Sequence, residues 1–252
     1  MYAAEIPVSD QDQLITSSDW TEISNLQDEM KKEEPDATID YDKALKVYVD
    51  CNLIKLQTAD TKKLTSALES ANYVWVIPFK MEKTYGMFTV AKGLPLSEEA
   101  KSVLTKAEQE EVKNHAGKWM ITETAEHTVE PYYDILLEKR EALSDCTRVV
   151  LVGSQPGMRQ PVALGMDDET ARIWISLGYQ YPVMKKIPET QNVESGVYSF
   201  DSVAEISDTY IEDSEVSTGA GVQSRSSMKY VAGIGTVSYT HLRAHETRRH
   251  LV

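Results

Sequence analysis

Four consecutive aliphatic residues, Val149 to Val152, followed at once by the turn Gly153-Ser-Gln-Pro-Gly157, constrain this chain more than any other feature. An extended run that is apolar on both faces belongs inside a sheet that is covered on both sides. Pro161 to Met166 reads as its neighbour, Asp167 to Thr170 as a polar turn, and Ile173, Ile175 and Leu177 alternate as a third strand. Residues 148–178 are therefore expected to form a β-meander, with the rest of the chain as its cover.

The preceding segments switch between helical and extended patterns. Residues 6–18 are polar and Ser-rich and are expected to lead flexibly into a helix over 19–32. There Trp20, Ile23, Leu26 and Met30 recur at helical spacing, Ser18 or Asp19 can cap, and Pro35 stops the run. Leu45, Val47 and Val49 alternate with Lys46 and Tyr48, as in a half-buried strand. Asp60 is placed to cap a helix carrying Leu64, Ala67 and Leu68. Tyr73 to Ile77 reads as a buried strand, Pro78 puts its end at an edge or bulge, and Met87 to Val90 returns as its partner.

Ser97 caps one short helix, while Thr105 and Glu108 have the spacing of a capping box for a second, which Gly117 stops. Trp119 to Thr124 reads as a strand. Pro131 then sits at a first helical position, with Tyr132, Ile135, Leu136 and Leu143 as the apolar stripe. Beyond Gly178, Tyr181-Pro182, Ile187-Pro188 and Ser195-Gly196 suit a long surface loop. A last helix is expected from Ser202, with Glu205 completing a capping box and Val203, Ile206 and Tyr210 facing inward. Ser, Gly, Thr and acidic residues over 212–227 read as a linker, leading to a strand-like stretch at 228–232.

This order of elements defines the α+β class: a mostly antiparallel sheet with helices packed on it. Residues 1–37 form an N-terminal lead and helix, 38–213 the α+β domain, and 214–236 a linker or the start of a truncated segment. Strand, helix, strand, strand occurs twice, in 39–91 and 118–178. That admits a structural duplication with halves 38–117 and 118–213, although the residues do not align as a sequence repeat.

With 26 Lys and Arg against 40 Asp and Glu, the formal net charge is −14. Gripping nucleic acid needs clustered cations, so a nucleic-acid partner is not expected, nor is an anionic membrane surface. No segment approaches the roughly 20 apolar residues of a membrane span, so membrane insertion of this chain is not expected either. The cysteines, Cys51 and Cys146, lie far apart without a CxxC or a neighbouring histidine. They form one disulfide if the chain is exported, or stay as two free thiols, and the demanding pairing geometry favours free thiols.

No catalytic residue is expected, and no cofactor. Ser154 in Gly153-Ser-Gln-Pro-Gly157 lacks the GxSxG spacing and the strand-to-helix turn of a nucleophile elbow, and the same glycines lack the ending of a phosphate loop. Asp167, Asp168 and Glu169 are weak candidates for a metal, because a turn between strands is polar simply through facing water. His115 ends a helix, and His127 is expected in a polar loop without nucleophilic company. The candidate ligand-binding residues are Tyr179, Tyr181, Tyr132 and Tyr133, whose faces can stack on a carbohydrate or a protein or peptide segment. Trp174 and Trp75 are accounted for at least as well by core packing.

Two resemblances complete the reading. Residues 237–252, VSYTHLRAHETRRHLV, resemble the conceptual translation of a transposase-type sequencing adapter, which implies read-through sequence. His241, His245 and His250 are therefore set aside as metal ligands. The body, through its YAAE start, acidic composition and segments such as YVWVIPF and KGLPLSEEAK, resembles uncharacterised exported proteins of anaerobic Gram-positive bacteria. This resemblance implies a place outside the cell or at its surface, with the apolar core of a signal peptide missing from the given chain. The expected function is an accessory or binding module of unknown ligand; a non-catalytic fragment of an extracellular hydrolase and a structural spacer are the alternatives.

Overall fold

The computed structural model describes residues 6–127, 129–153, 155–156, 158, 160–179, 181–189 and 192–207. Ser154, Tyr210, the expected linker and the adapter-like tail lie outside the described residues. The strands are β1 (Thr38–Ile39), β2 (Leu45–Val49), β3 (Asn72–Lys80), β4 (Tyr85–Lys92), β5 (Trp119–His127), β6 (Arg148–Val152), β7 (Val162–Met166), β8 (Ala171–Ser176), β9 (Asn192–Glu194) and β10 (Val197–Ser199). They form one ten-stranded sheet in the order β5-β4-β3-β2-β6-β7-β8-β10-β9, with β1 beside β3. Each named pair is antiparallel except β2 with β6. The helices α1 (Trp20–Ile23), α2 (Gln27–Glu33), α3 (Thr61–Glu69), α4 (Glu98–Val103), α5 (Lys106–His115) and α6 (Tyr132–Glu138), with the helical residues 200–207, complete the α+β architecture expected from the sequence.

Alternation along the central strands sends side chains to two cores. Leu45, Val47, Val149, Leu151, Ile173 and Ile175 face the layer that carries α6. On the other face, Val150, Val152, Leu164 and Trp174 pack with Leu64 and Leu68 of α3, while Trp75, Ile77, Phe88 and Val90 pack under Leu14, Ile23 and Met30 of the N-terminal segment. Val149 to Val152 is buried throughout because both of its faces are covered. Cys51 and Cys146 belong to opposite faces, so the sheet separates them and both are free. Burial pushes each thiol up to about 11. The native protein is expected to react only slowly with a thiol reagent at neutral pH and to release two reactive thiols on unfolding; a fast native reaction at either cysteine contradicts this placement.

The two expected duplicated units carry their elements but arrange them differently. In the first, β2 pairs directly with β3 across α3; in the second, β5 lies on the far side of β4, β3 and β2 from β6. Pro78 lies within β3 rather than at its end. It falls at the seam where pairing with β2 stops at Val76 and pairing with β1 begins at Phe79, a place where a missing N–H is tolerated. His127 closes β5 opposite Tyr85 instead of lying in a loop.

The N-terminal lead departs most from expectation. β2 and β6 share only two register pairs, Val47 with Leu151 and Tyr48 with Val152. Below these the strands diverge, and residues 8–13 enter the fork: Val8 bridges Val149 in parallel, and Gln13 bridges Leu45 antiparallel. Ile6, Val8 and Leu14 are buried there. The physical reason is that two diverging strands leave backbone groups that need partners, which this segment supplies. Asp19 likewise does not cap α1; its carboxylate accepts from the Tyr73 hydroxyl at 2.9 Å and the Trp75 indole at 3.0 Å. Buried donors have claimed the group that a solvent-facing helix end would use.

The expected long loop after Gly178 contains the hairpin β9–β10, turning at Ser195-Gly196 with Gly196 at φ 77°. The final helix therefore starts earlier than Ser202. Ser199, the last residue of β10, caps it by accepting from the Ser202 amide at 3.2 Å. The turn after β6 is organised by Gln155, which is 3% exposed. It accepts from the Leu53 amide at 3.0 Å and donates to the carbonyls of Cys51 and Gly153.

Candidate functional site

The tyrosine-rich segment after β8 is shaped by a reversal at Gly178, whose φ of 82° is left-handed. A Cβ there meets Val129 Cγ1 at 2.8 Å, so both backbone and packing require glycine. Ser176 Oγ donates to the Tyr179 carbonyl at 2.7 Å and fixes the return. The chain then runs through Tyr181 into the short 3-10 helix Met184–Lys186, beside β10. The register Tyr198 to Trp174 brings Tyr198 onto the same face. Tyr179, Tyr181, Met184, Lys185 and Tyr198 line a cleft of about 250 Å³ that opens to solvent.

Of the four tyrosines singled out in the sequence, three are brought together. The Tyr132 and Tyr179 hydroxyls are hydrogen-bonded to each other, and the Tyr179 and Tyr181 rings meet edge to face at 6.4 Å. Tyr179 touches the cores of both faces and sits at the sheet margin. Tyr133 is half-buried against the α6-side core and does not line the cleft. Tyr132 and Tyr181 are 6% and 3% exposed, and Tyr181 donates to the Pro161 carbonyl, so both are largely structural. The sequence did not single out Tyr198 and Lys185. Tyr198 is half-buried, Lys185 is exposed, and neither side chain has a hydrogen-bond or ion-pair partner among the described residues. Burial raises the phenols of Tyr132, Tyr179, Tyr181 and Tyr198 above their ordinary value, so all four are neutral at neutral pH.

The acidic turn has a structural occupation. Asp167 accepts from the amides of Glu169 at 2.8 Å and Thr170 at 2.6 Å and pairs with Arg172 at 2.7 Å, which holds its carboxyl below the usual range. Asp168 accepts from Thr147 at 2.9 Å. Among the described residues no group of three His, Cys, Asp or Glu side chains could hold a metal ion, and no helix is long and apolar enough to cross a membrane.

A second polar cluster, invisible in the sequence, lies at the fork of β2 and β6. Asp12 is 2% exposed and accepts from Tyr48 at 2.7 Å, Ser9 at 2.6 Å and Arg148 at 3.1 Å. Lys46 Nζ stands 3.7 Å from Asp12 and lies over the rings of Tyr73 at 4.5 Å, Trp75 at 5.2 Å and Tyr48 at 5.8 Å. Desolvation lowers the Lys46 ammonium, opposed by the charges of Asp12 and Asp19. Such perturbed groups gather at catalytic sites, but they also gather in structural ion-pair networks. Here Asp12 rides on the segment that fills the fork, and its oxygens are satisfied by internal donors.

The same cluster sets the alkaline limit of the fold. Burial, with hydrogen bonds to Asp12 and Asp19, raises Tyr48 and Tyr73 well above their ordinary 10.0. A phenol raised in the folded state stabilises it fully below its unfolded pKa and loses that contribution as pH rises. Stability is therefore expected to hold up to about pH 10 and then fall, with tyrosinate absorbance from these residues appearing together with unfolding. Early ionisation of buried tyrosines in an intact fold contradicts this.

Compared with protein-family models, curated proteins and solved structures, the chain matches none. A functional reading therefore stands on the geometry of the cleft and the fork.

Proposed function

We propose that this chain is an accessory binding module, working outside the cell or at its surface, that takes part of a ligand into the tyrosine cleft. The observation that carries the reading is the pairing of Tyr198 and Lys185 around one open cleft, with polar ends that no described residue satisfies. A half-buried phenol supplies a flat contact surface and a donor or acceptor at its tip. At about 250 Å³ the cleft lies below the roughly 300–1,000 Å³ of pockets that enclose a whole small molecule, so it suits one ring or one side chain of a longer ligand. The location outside the cell rests on the resemblance of the body to exported proteins.

Among the described residues, a catalytic reading would draw on the Asp12, Lys46, Tyr48 and Arg148 cluster. The Lys46 side chain is 10% exposed and that of Asp12 3%, and the 8–13 segment fills the space through which a substrate would reach them. The structural role accounts for every contact of Asp12, and the binding reading is preferred.

An array of bacterial cell-wall and capsular polysaccharides, probed with the full chain and with Tyr198→Ala, tests the proposal. The Ala variant is expected to lose at least about fivefold in apparent affinity, because aromatic contacts at a binding centre are commonly worth more than about 1 kcal/mol, with its melting temperature changed little. Equal binding by both proteins, or binding that falls only in step with stability, overturns the cleft as the site.

A further inference from the structure

Resting on the cleft as the binding site, we infer that its ligand is an acidic polysaccharide, with a uronic-acid ring seated between Tyr179 and Tyr198 and its carboxylate on Lys185. Three features of the cleft lead there. Of its walls, the half-buried rings of Tyr179 and Tyr198 keep exposed surface that the C–H face of a sugar can meet, while Tyr181 and Met184 are buried. The polar tips that no described residue satisfies are a phenol hydroxyl, which can both donate and accept, and an ammonium, which can only donate. That combination matches a ring that carries hydroxyls and an anion.

The charge of the whole chain sharpens the point. At −14 the protein repels polyanions in general, so an exposed lysine at the mouth of an aromatic cleft is a local exception that orients an anionic ligand. A peptide is less suited. Extended peptides are commonly held by main-chain hydrogen bonds to a free strand edge, and β10, which carries Tyr198, is paired on one side with β8 and on the other with β9. A carboxylate on a flexible chain would also leave the ring walls unused.

The experiment compares three probes by titration against the full chain: polygalacturonate, its fully methyl-esterified form, and poly-glutamate. Each is titrated against the unaltered protein, Lys185→Gln and Tyr198→Ala. Polygalacturonate is expected to bind about fivefold more tightly than the ester, the scale of one exposed ion pair, at physiological salt, where the general repulsion from the acidic chain is screened. Lys185→Gln should weaken binding of the acid more than that of the ester and bring the two close together. Tyr198→Ala should weaken both, and poly-glutamate should bind far more weakly than polygalacturonate.

Equal binding of acid and ester, both lost in Tyr198→Ala, overturns the anionic assignment and leaves the cleft as a binding site. Poly-glutamate binding as tightly as polygalacturonate overturns the sugar ring. Polygalacturonate binding that Tyr198→Ala leaves intact overturns the site itself. Absence of binding by all three probes overturns the acidic-polysaccharide assignment, while a ligand on the wider polysaccharide array that is lost in Tyr198→Ala would still support the cleft.

Discussion

Replacing Asp12 by Ala is expected to cost about 3–5 kcal/mol of folding stability, the range for breaking one side of a buried ion pair. The carboxylate is 2% exposed and serves Tyr48, Ser9 and Arg148 at hydrogen-bond distance, with Lys46 at 3.7 Å. Its loss leaves two cations facing each other in a poorly solvated space and strips the Tyr48 hydroxyl of its acceptor. It also removes the pin that holds residues 8–13 in the fork between Val149 and Leu45. Denaturant unfolding measures the loss. Asp12→Asn keeps the shape and an acceptor but removes the charge, and should fall between the unaltered protein and Asp12→Ala. If Asp12→Ala unfolds like the unaltered protein, the segment is not held by this cluster and the account of the fork is wrong.

Trp174→Ala is expected to cost a comparable amount, about 3–5 kcal/mol, as large-to-small changes of a buried Trp do. Trp174 is fully buried, lies near-parallel to Phe200 at 5.7 Å, and anchors the core beneath α3. Its indole Nε1 is buried without a hydrogen-bond partner among the described residues. Trp174→Phe removes that donor together with some volume, so it should cost much less than Trp174→Ala. Chemical denaturation of the two variants checks the ordering; nearly equal costs would mean that the indole N–H has a partner whose loss dominates, and a reversed order would contradict the packing account. Because Trp174, the cross-strand neighbour of Tyr198, does not line the cleft, Trp174→Phe should leave ligand affinity nearly unchanged.

The parts legible in the sequence are those governed by local chemistry. The capping box of Thr105 and Glu108 forms with both reciprocal bonds, and Asp60 and Ser97 cap α3 and α4 as their positions imply. The run Val149 to Val152 sits inside the sheet because such a run has no solvent face to offer. What the sequence conceals is contact between distant residues. Asp12 meets partners 36 and 136 positions away, so a polar, Ser-rich lead gives no sign that it will be buried. The parallel pairing of β2 with β6 is hidden for the same reason, since it joins two antiparallel units across the intervening chain.

The candidate site was half legible. Aromatic content points to Tyr132, Tyr133, Tyr179 and Tyr181, and the fold brings all of these but Tyr133 together. Tyr198 was hidden by the reading of residues 179–201 as one loop, although Ser195-Gly196 between short segments is itself a hairpin signal. Replacing Tyr179 and Tyr181 together is not a clean probe of binding, because Tyr181 is 3% exposed and bonded to the Pro161 carbonyl. Tyr198 and Lys185 are the residues whose removal separates binding from folding.

The most direct measurement of the central claim is a titration of the full chain with galacturonate oligosaccharides, followed residue by residue in its NMR spectrum. The account predicts that the resonances shifting first and furthest belong to Tyr179, Tyr181, Met184, Lys185 and Tyr198, while those of Asp12, Lys46 and Arg148 stay in place. A spectrum that does not change, or one whose changes gather around Asp12, Lys46 and Arg148, would contradict it.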